Sequence, residues 1–461
     1  MKTKITLFIA ILFLGLNISF AQTDPEKDMI DLSLMDQSVK SKNFDAAYTP
    51  FMELRERNPK YSRAIYASGE KILKDKIKKS TDADKVAFVN DLIKLWEERA
   101  IHFASKTKKG EYAAKASQLK YDNRKALNLT KTELYNSFDD AYTLDKATFT
   151  NPQSLYTYFS LMVDLFDAKE KSAKELFNKY DDVVEKIEEE VKNYSEKLNK
   201  LVAKDSTGAT LTKREKSIKR SSESYLKNYD LISGNIDAKL GIRADCSNLI
   251  PLYERGFEEF KNDAVWLKRA VSRMFNKECT DDPLYIKLVK AYDETAPSAD
   301  TKYFVAGLLL KDGKETEAIS YFQQSFDLET DSFKKSKLAY RIGLILKKKG
   351  RKGKARGYFR NALKLNPSNG RPHIAIAAMY ASSANRCGDT NFNKRAVYWL
   401  AAAEAKRASR VDPTLRKAAA QFAANYLSKV PSRAEIFSGD MSGKVIRIGC
   451  WIGASVTVPK I

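Results

Sequence analysis

The internal spacing of small and aromatic residues between Ser336 and Asn369 constrains the fold of this chain more than any other feature. The positions that carry this spacing are Gly343, Gly350, Ala355, Phe359, Ala362 and Pro367. Ala355 stands twelve positions after Gly343, an aromatic ring follows after four, a small residue after three and proline after five. The same offsets recur upstream at Ala306, Gly313, Ala318 and Phe322. Recurrence of one pattern indicates a repeat architecture.

The spacing in 336–369 resembles that of the tetratricopeptide repeat (TPR) family, whose unit is a pair of helices about 34 residues long. In that family small residues stand where the two helices cross, aromatic rings plug the space between them, and proline ends the second helix. Residues 28–61 show a degenerate form, with Phe44, Ala47, Phe51, Leu54 and Pro59 in register. A last unit begins near Arg371, is interrupted from Ala381 to Arg395, and resumes from Ala401 to Pro413. The resemblance implies an all-α, TPR-like solenoid of helical hairpins.

Stacked TPR units present the inner faces of their first helices as a groove, which holds an extended peptide or a helix. Carried over from the family, the partner-binding groove positions are Tyr303, Lys311, Tyr340, Leu344, Lys347 and Lys348. Cations beside aromatic rings suit a carboxylate or an acidic peptide. The basic cluster from Lys347 to Lys354 suits a polyanion equally well, and an ordinary solvated turn would have the same composition.

A different helical pattern occupies residues 169–235. From Leu176 to Leu201 apolar residues advance mostly by alternating steps of four and three, which is a heptad seam on a helix longer than a TPR helix. After a polar break, Thr212 and Glu215 stand three apart as a capping box that opens a second helix. The pattern predicts a long, coiled-coil-like helical hairpin, which either projects from the solenoid as an arm or lies along it.

The pattern changes again after Pro431. From Val445 to Cys450, the apolar Ile446, Ile448 and Cys450 alternate with the residues at 445, 447 and 449. β-Branched residues follow from Ser455 to Val458, so we predict a short β-hairpin. A lone hairpin is marginally stable in water. We therefore expect it to lean on the last helices, with a bond from Cys450 to Cys387 as its attachment.

Four cysteines, Cys246, Cys279, Cys387 and Cys450, suit two disulfides in an exported chain, and four positions allow three pairings. Sequence spacing prefers Cys246 with Cys279 and Cys387 with Cys450. A zinc site is the alternative, but the sequence has no C-x-x-C and its only histidines are His102 and His373. We predict no metal site.

The first residues have the composition of an export signal. Lys2 and Lys4 precede an apolar run from Leu7 to Leu16, and small residues favour cleavage after Ala21. An uncleaved anchor is the alternative, but Asn17 interrupts the run before the ~20 apolar residues that a span needs. No other long apolar stretch follows, so we expect no transmembrane span in the mature chain. The predicted location is the periplasm or the outer membrane surface of a Gram-negative cell.

The chain carries a formal charge of +22. Such a surplus favours anionic surfaces such as lipopolysaccharide, acidic polymers or an acidic protein partner, while export argues against nucleic acid. Lysine-rich helices that are simply well solvated would give the same charge.

The sequence lacks the usual catalytic motifs. It contains no G-x-S-x-G, and Gly350 to Gly353 is followed by no Lys-Ser or Lys-Thr pair of a phosphate loop. Glu188 to Glu190 are interpreted as a solvated helix face. A carboxylate pair cannot be recognised without the fold, and on the motifs alone we predict a non-enzymatic protein without a cofactor. Asp205-Ser206-Thr207 resembles an acceptor motif for O-glycosylation of exported bacterial proteins.

These patterns divide the chain into six predicted segments. They are a signal peptide (1–21), TPR-like repeats (22–168), the long helical hairpin insertion (169–235), a helical hairpin with Cys246 and Cys279 (236–295), TPR repeats (296–430) and the C-terminal β-hairpin (431–461). We predict an envelope scaffold that binds another protein, in an accessory role to a secretion or assembly complex. The alternative is a binder of anionic envelope glycan. Salt dependence separates them, because glycan binding falls steeply with ionic strength.

Overall fold

The computed structural model describes residues 24–461. The predicted signal peptide at 1–21 lies outside the described residues, as does the side chain of Ser206. The chain forms two compact units, one ending at Ser154 and one spanning Leu155–Ile461. The predicted all-α fold is confirmed, with a single small sheet in the described part of the chain.

The helices of the first unit are α1 (Pro25–Lys40), α2 (Phe44–Arg57), α3 (Arg63–Lys79), α4 (Asp82–His102), α5 (Lys109–Asp122) and α6 (Lys131–Leu144). The next helix, α7 (Pro152–Asp167), begins at the end of this unit and continues into the second. The second unit continues with α8 (Ala173–Ser206), α9 (Lys213–Leu240), α10 (Cys246–Phe260), α11 (Ala264–Asn276), α12 (Pro283–Thr295), α13 (Ala299–Lys311), α14 (Glu315–Leu328), α15 (Ser332–Lys348), α16 (Lys352–Leu365), α17 (Arg371–Ala381), α18 (Ala384–Cys387), α19 (Asn391–Val411), α20 (Arg416–Leu427), α21 (Arg433–Ser438), β1 (Val445–Ile448) and β2 (Ala454–Thr457).

The first unit packs its helices around aromatic and aliphatic side chains. Phe51 on α2 is fully buried, and its ring packs against Gly69 of α3. A Cβ atom at position 69 would come within 2.3 Å of the ring. Arg55 is buried one turn later and bonds Glu98 at 2.7 Å and Asp91 at 2.8 Å on α4. A buried guanidinium is tolerated here because carboxylates satisfy it on two sides. The pairing ties α2 to α4.

The clearest repeat geometry is the crossing of α15 and α16. Phe359 on α16 is fully buried against Gly343 of α15, and a Cβ at Gly343 would lie 2.5 Å from the ring. Ala355 and Ala362 on α16 are also fully buried. Gly350 joins the two helices at φ +74, a left-handed conformation that favours glycine. The spacing first seen in the sequence is therefore a helix crossing with no room for a side chain at position 343.

The unit formed by α13 and α14 repeats this arrangement. Ala306, Ala318 and Phe322 are almost completely buried, and Gly313 turns between the helices at φ +76. The Phe322 ring contacts that of Tyr303 at a centroid distance of 5.6 Å.

The last repeat is interrupted as predicted, but the interruption is shorter. The interrupting stretch contains α18, and α19 begins at Asn391, before the expected resumption after Arg395. Thr390 explains the earlier start, because its side chain accepts a hydrogen bond from the Asn393 amide at 3.1 Å and caps the helix.

Helices α8 and α9 form the predicted long hairpin, 34 and 28 residues in length. Both begin with a capping box, Ser172 with Glu175 and Thr212 with Glu215, so the predicted start of the second helix is confirmed. The apolar seam lies between the helices. Tyr194 stacks on Tyr225 at 4.6 Å between ring centroids, as a facing pair of a coiled coil can.

The predicted C-terminal β-hairpin is confirmed, with β1 and β2 antiparallel and Ile446 opposite Val456. It packs against α19 and is preceded by the short helix α21, which the sequence analysis did not predict. Buried side chains and a hydrogen bond, in addition to the expected disulfide, hold this hairpin on the last helices. Ile448, Ile452 and Val458 are buried, and the Trp451 indole donates to Ser383 Oγ at 3.1 Å.

The sulfurs of both preferred cysteine pairs lie at disulfide distance. Cys246 is joined to Cys279 and Cys387 to Cys450, with Cα separations of 5.4 and 5.2 Å. Residues 24–461 contain no helix with both the length and the apolar character of a membrane span.

Candidate docking groove

The first helices of the repeats carry an inner face across which the long hairpin lies. Lys337 on α15 binds Glu188 of α8 at 2.6 Å, although 149 positions separate them in the chain. One helical turn along α8, Lys192 pairs with Asp331 at the start of α15. Of the two placements left open by the sequence, an arm or a helix pair along the solenoid, the structure shows the second.

The part of the hairpin from Glu188 to Asp230, here called its distal half, makes three further contacts with the repeats. The Ser368 amide donates to Asn199 Oδ1 of α8 at 2.9 Å. Arg371 on α17 binds Asp230 of α9 at 2.9 Å. Beyond it, Arg416 on α20 binds Glu223 at 3.1 Å.

The base of the hairpin is held more deeply. Arg273 on α11 is 5% exposed, pairs with Asp181 of α8 and stacks 4.7 Å from the Phe177 ring. Arg269, one turn away, binds Glu185 at 2.9 Å. Moving Asp181 away would leave the buried guanidinium without its counter-charge, which is costly, so the base is anchored.

Between the hairpin and the repeats remains a cavity of about 490 Å³, here called the docking cavity. Its apolar lining residues are Ile187, Val191, Leu226, Tyr229, Phe333, Tyr340 and Leu344. Its charged lining residues are Glu188, Asp230, Lys337, Arg341, Arg371 and Asp412. Volumes of roughly 300–1,000 Å³ with apolar walls and a few polar groups are typical of ligand sites.

Charge compensation differs among the cations of the docking cavity. Lys337 and Arg371 are paired with hairpin carboxylates, as described above. Arg341 is exposed and makes no ion pair with any carboxylate of residues 24–461. Burial raises the pKa of the Tyr340 hydroxyl, although the Arg371 charge acts in the opposite direction. The cavity thus offers one uncompensated cation beside neutral aromatic rings.

The structure separates the six groove residues carried over from the TPR family. Tyr340 and Leu344 line the docking cavity, and Leu344 is 38% exposed. Tyr303 does not line it, because its ring is buried among aromatic neighbours and only 5% exposed. Lys311 is directed to the loop before α12, where it binds Asp281 at 2.5 Å. Lys347 and Lys348 lie at the end of α15, outside the cavity lining.

The basic turn after α15 has mixed surroundings. Arg351 binds Glu315 at 2.5 Å, and Lys352 donates to Ser383 Oγ at 2.7 Å. Burial and the Arg386 charge lower the pKa of Lys352. In the described part of the chain, Lys347 and Lys348 have no carboxylate within ion-pair distance.

The expected solvated face of the acidic run on α8 is confirmed for Glu188 and Glu189, whose side chains are 54% and 55% exposed, and is wrong for Glu190. Glu188 bridges to Lys337, and Glu190 is buried with its carboxylate 2.9 Å from Lys186. The hairpin carboxylates and their arginine partners are site residues that the sequence pattern did not predict. A clue was available, because Asp181, Glu185 and Glu188 fall on one side of a helix.

Neither histidine belongs to a recognisable catalytic arrangement. His373 on α17 contacts Glu404 of α19 at 2.5 Å, and Arg407 binds the same carboxylate at 2.8 Å. Burial would raise the pKa of Glu404, but these neighbours outweigh it and hold the pKa below its ordinary value. The cluster joins α17 to α19. Within residues 24–461, no three His, Cys, Asp or Glu side chains converge as metal ligands.

A family model described as Tetratricopeptide repeat matches 336–369, the stretch that holds α15 and α16. Residues 336–369 are a tetratricopeptide repeat. The predicted TPR resemblance is thereby confirmed at the unit whose first helix lines the docking cavity. TPR units generally mediate protein–protein interaction, and the fold is typically a scaffold rather than an enzyme.

Similarity to a curated protein covers a short part of the chain. Over 68 residues, 14% of this chain, it is 35% identical to the photosystem I assembly protein Ycf3 of Acaryochloris marina (strain MBIC 11017). The match spans 41% of that relative's length. The similarity therefore extends to less than half of that protein.

Solved structures with similar helical arrays cover more of the chain at low identity. A tetratricopeptide repeat protein from Parabacteroides merdae ATCC 43184 is 10% identical, with a TM-score of 0.25 over 68% of this chain and 97% of that one. Yeast Tom70 is 13% identical, with a TM-score of 0.25 over 89% and 83%. The human IFIT1 dimer with PPP-AAAA is 10% identical, with a TM-score of 0.28 over 88% and 94%. Scores this low carry no argument about function.

Proposed function

We propose that this chain is an exported, non-enzymatic docking scaffold of a Gram-negative cell envelope, accessory to a secretion or assembly complex. The docking cavity is the main support for the docking role, because it lies on the inner face of a TPR unit. Its walls are largely apolar, and Arg341 beside them has no carboxylate partner among the described residues. In our proposal a peptide segment of the partner enters the cavity. Its apolar side chains contact Tyr340 and Leu344, and its carboxylate meets Arg341.

Export is supported by the composition of residues 1–21 and by the two cysteine pairs at disulfide distance. Cell fractionation and N-terminal sequencing of the native protein test it. We expect a chain beginning at Gln22 in the periplasmic or outer membrane fraction. Recovery of a chain beginning at Met1 in the cytoplasm would contradict the proposed location.

Crosslinking in intact envelopes followed by pull-down tests the docking. Arg341→Glu reverses the cation of the cavity, and Leu344→Asp places a charge in its apolar wall. Lys354→Glu is the matched control, since it changes the net charge as Arg341→Glu does at an exposed position outside the cavity. We expect both cavity variants to lose partner proteins that the wild type and the control retain. Equal recovery from all four proteins would show that the cavity is not the docking site.

A second candidate function, binding of anionic glycan, is favoured by one observation. Lys347, Lys348 and Lys349 stand together at the end of α15, and no carboxylate of residues 24–461 pairs with them. Binding of purified lipopolysaccharide by the wild type and by a variant with all three changed to Gln tests it. Glycan binding predicts a loss in the variant and a steep decrease with salt, and unchanged binding would remove this candidate.

A further inference from the structure

Most ion pairs between the hairpin and the rest of the second unit have the same charge direction. The hairpin supplies the carboxylate, and the surrounding helices supply the cation. These pairs are Asp181 with Arg273, Asp182 and Glu185 with Arg269, Glu188 with Lys337, Glu223 with Arg416, and Asp230 with Arg371. In two pairs, Lys192 with Asp331 and Lys239 with Asp164, the hairpin supplies the cation instead. The inner face is therefore basic, and the side of the hairpin that meets it is acidic.

The carboxylates of α8 have the spacing of one helix face. Asp181, Asp182, Glu185 and Glu188 stand at positions i, i+1, i+4 and i+7. The apolar seam that includes Val183 and Ile187 is buried beside this acidic face. Such a helix is amphipathic, with one side for an apolar contact and an adjoining side for cations.

The hairpin fits the repeats incompletely along its distal half. Apolar side chains from both sides, among them Val191, Leu226, Phe333 and Leu344, border the docking cavity instead of filling it. The ion pairs that cross the gap are partly exposed; Lys337 and Glu188, for example, are 36% and 54% exposed. Pairs of this kind are individually weak. A polar, incompletely packed contact is typical of surfaces that separate and rejoin.

The base of the hairpin contrasts with its distal half. Besides the buried Arg273, Tyr180 donates to Asp237 across the two helices at 2.7 Å. The distal half can therefore leave the inner face while the base stays in place. Its departure would release Lys337 and Arg371 from their ion pairs, beside the already exposed Arg341.

We propose that the inner face of α15, α17 and α20 is a docking surface for an acidic amphipathic helix of a partner protein. The chain's own hairpin occupies this surface until the partner helix takes the place of its distal half. This inference rests on the proposed docking function and defines the chemistry of the partner. The partner helix carries carboxylates that pair with Lys337, Arg371 and Arg416, beside an apolar stripe that fills the docking cavity.

The experiment uses the full chain and a labelled synthetic peptide with the sequence of α8, residues 173–206, as the acidic helix. Glu188→Lys with Asp230→Lys removes two ion pairs that hold the distal half and leaves the inner face basic. Binding is measured by fluorescence anisotropy, and release of the hairpin by hydrogen exchange of α8 and α9. Since weaker self-occupancy raises the available fraction of the surface, we expect peptide binding about tenfold tighter than in the wild type.

Glu196→Lys is the matched single-site control, because Glu196 is exposed on the hairpin and has no ion pair with the repeats in the described residues. It should bind the peptide as the wild type does. A charge-reversed peptide, in which Glu188 that pairs with Lys337 of the inner face is changed to Lys, should bind more weakly. If the double variant does not fold, Glu188→Gln with Asp230→Asn removes the same pairs without adding repulsion.

Three results would overturn the inference. They are a hairpin that keeps its wild-type exchange protection in the folded double variant, a released hairpin with no peptide binding, and equal binding of the charge-reversed peptide. None of them depends on the native partner. Failure of the docking scaffold itself would appear separately, as unchanged partner recovery from the Arg341→Glu and Leu344→Asp proteins.

Discussion

Replacement of Gly343 tests the helix crossing on which the repeat geometry depends. A Cβ at this position would lie 2.5, 2.7 and 3.0 Å from three atoms of the Phe359 ring. Carbon atoms are in favourable contact at about 3.5–4.0 Å, so even a methyl group requires the ring or helix to move by roughly 1 Å. Overpacking of this size costs about 1–3 kcal/mol, and Gly343→Leu should lie at the upper end. Gly343→Ala should cost less, since alanine improves helix propensity by about 1 kcal/mol.

Gly357 on α16 provides a matched control, because it is an exposed helical glycine whose Cβ would meet no atom within 4 Å. Gly357→Ala should stabilise by about 0.5–1 kcal/mol. Phe359→Ala removes the ring and costs about 3–5 kcal/mol by itself. In that background Gly343→Ala should change sign and become stabilising, because the methyl group then enters vacated space.

Urea unfolding followed by circular dichroism gives the order of stabilities, and hydrogen exchange of α15 and α16 localises the effect. The order expected is Gly357→Ala above wild type, then Gly343→Ala, then Gly343→Leu. The proposed register fails if Gly343→Ala stabilises as much as Gly357→Ala. It fails as well if removal of the Phe359 ring leaves the effect of Gly343→Ala unchanged.

Two further predictions concern the C-terminal hairpin and the ends of the long helices. Changing Cys387 and Cys450 to Ser should destabilise the region after Pro431 by about 2–4 kcal/mol. Limited proteolysis should then cut this region faster than in the wild type, while α13 to α16 stay protected. Equal cleavage rates in the variant and the wild type would contradict this prediction. Backbone and side-chain hydrogen bonds lower the pKa of Glu175, and Lys204 with the Thr212 amide lowers that of Glu215, each from 4.5 to about 2. A carboxylate whose pKa is lower in the folded state than in the unfolded state stabilises the fold at pH values above its ordinary pKa. The starts of α8 and α9 should therefore lose hydrogen-exchange protection as the pH falls from about 4.5 to 2. Protection factors that stay constant over this range would refute the prediction.

Local features of the chain could be predicted because they depend on neighbours within one or two helical turns or within one repeat. The crossing at Gly343 and Phe359 spans sixteen positions and appears as a fixed spacing. The start of α9 at Thr212 and Glu215 depends on a motif of four residues. Such features are determined by steric fit and hydrogen bonds that the sequence displays directly.

The site could not be predicted to the same extent, because its contacts join distant parts of the chain. Glu188 and Lys337 are 149 positions apart, and nothing around either residue specifies the other. The family pattern also placed Tyr303 on the groove, whereas local aromatic packing buries it. Groove positions carried over from a family assume an empty inner face. Here the inserted hairpin covers that face and leaves only Tyr340 and Leu344 of the six residues at the cavity.

If the chain is exported as proposed, the order of its cysteines has a consequence for its maturation. No cysteine precedes Cys246, and each cysteine is bonded to its nearest cysteine neighbour along the chain. In a chain that crosses a membrane N-terminus first, the first unit can complete its core before any thiol emerges. An oxidase that joins thiols in order of appearance would then produce the native pattern directly, without a disulfide isomerase.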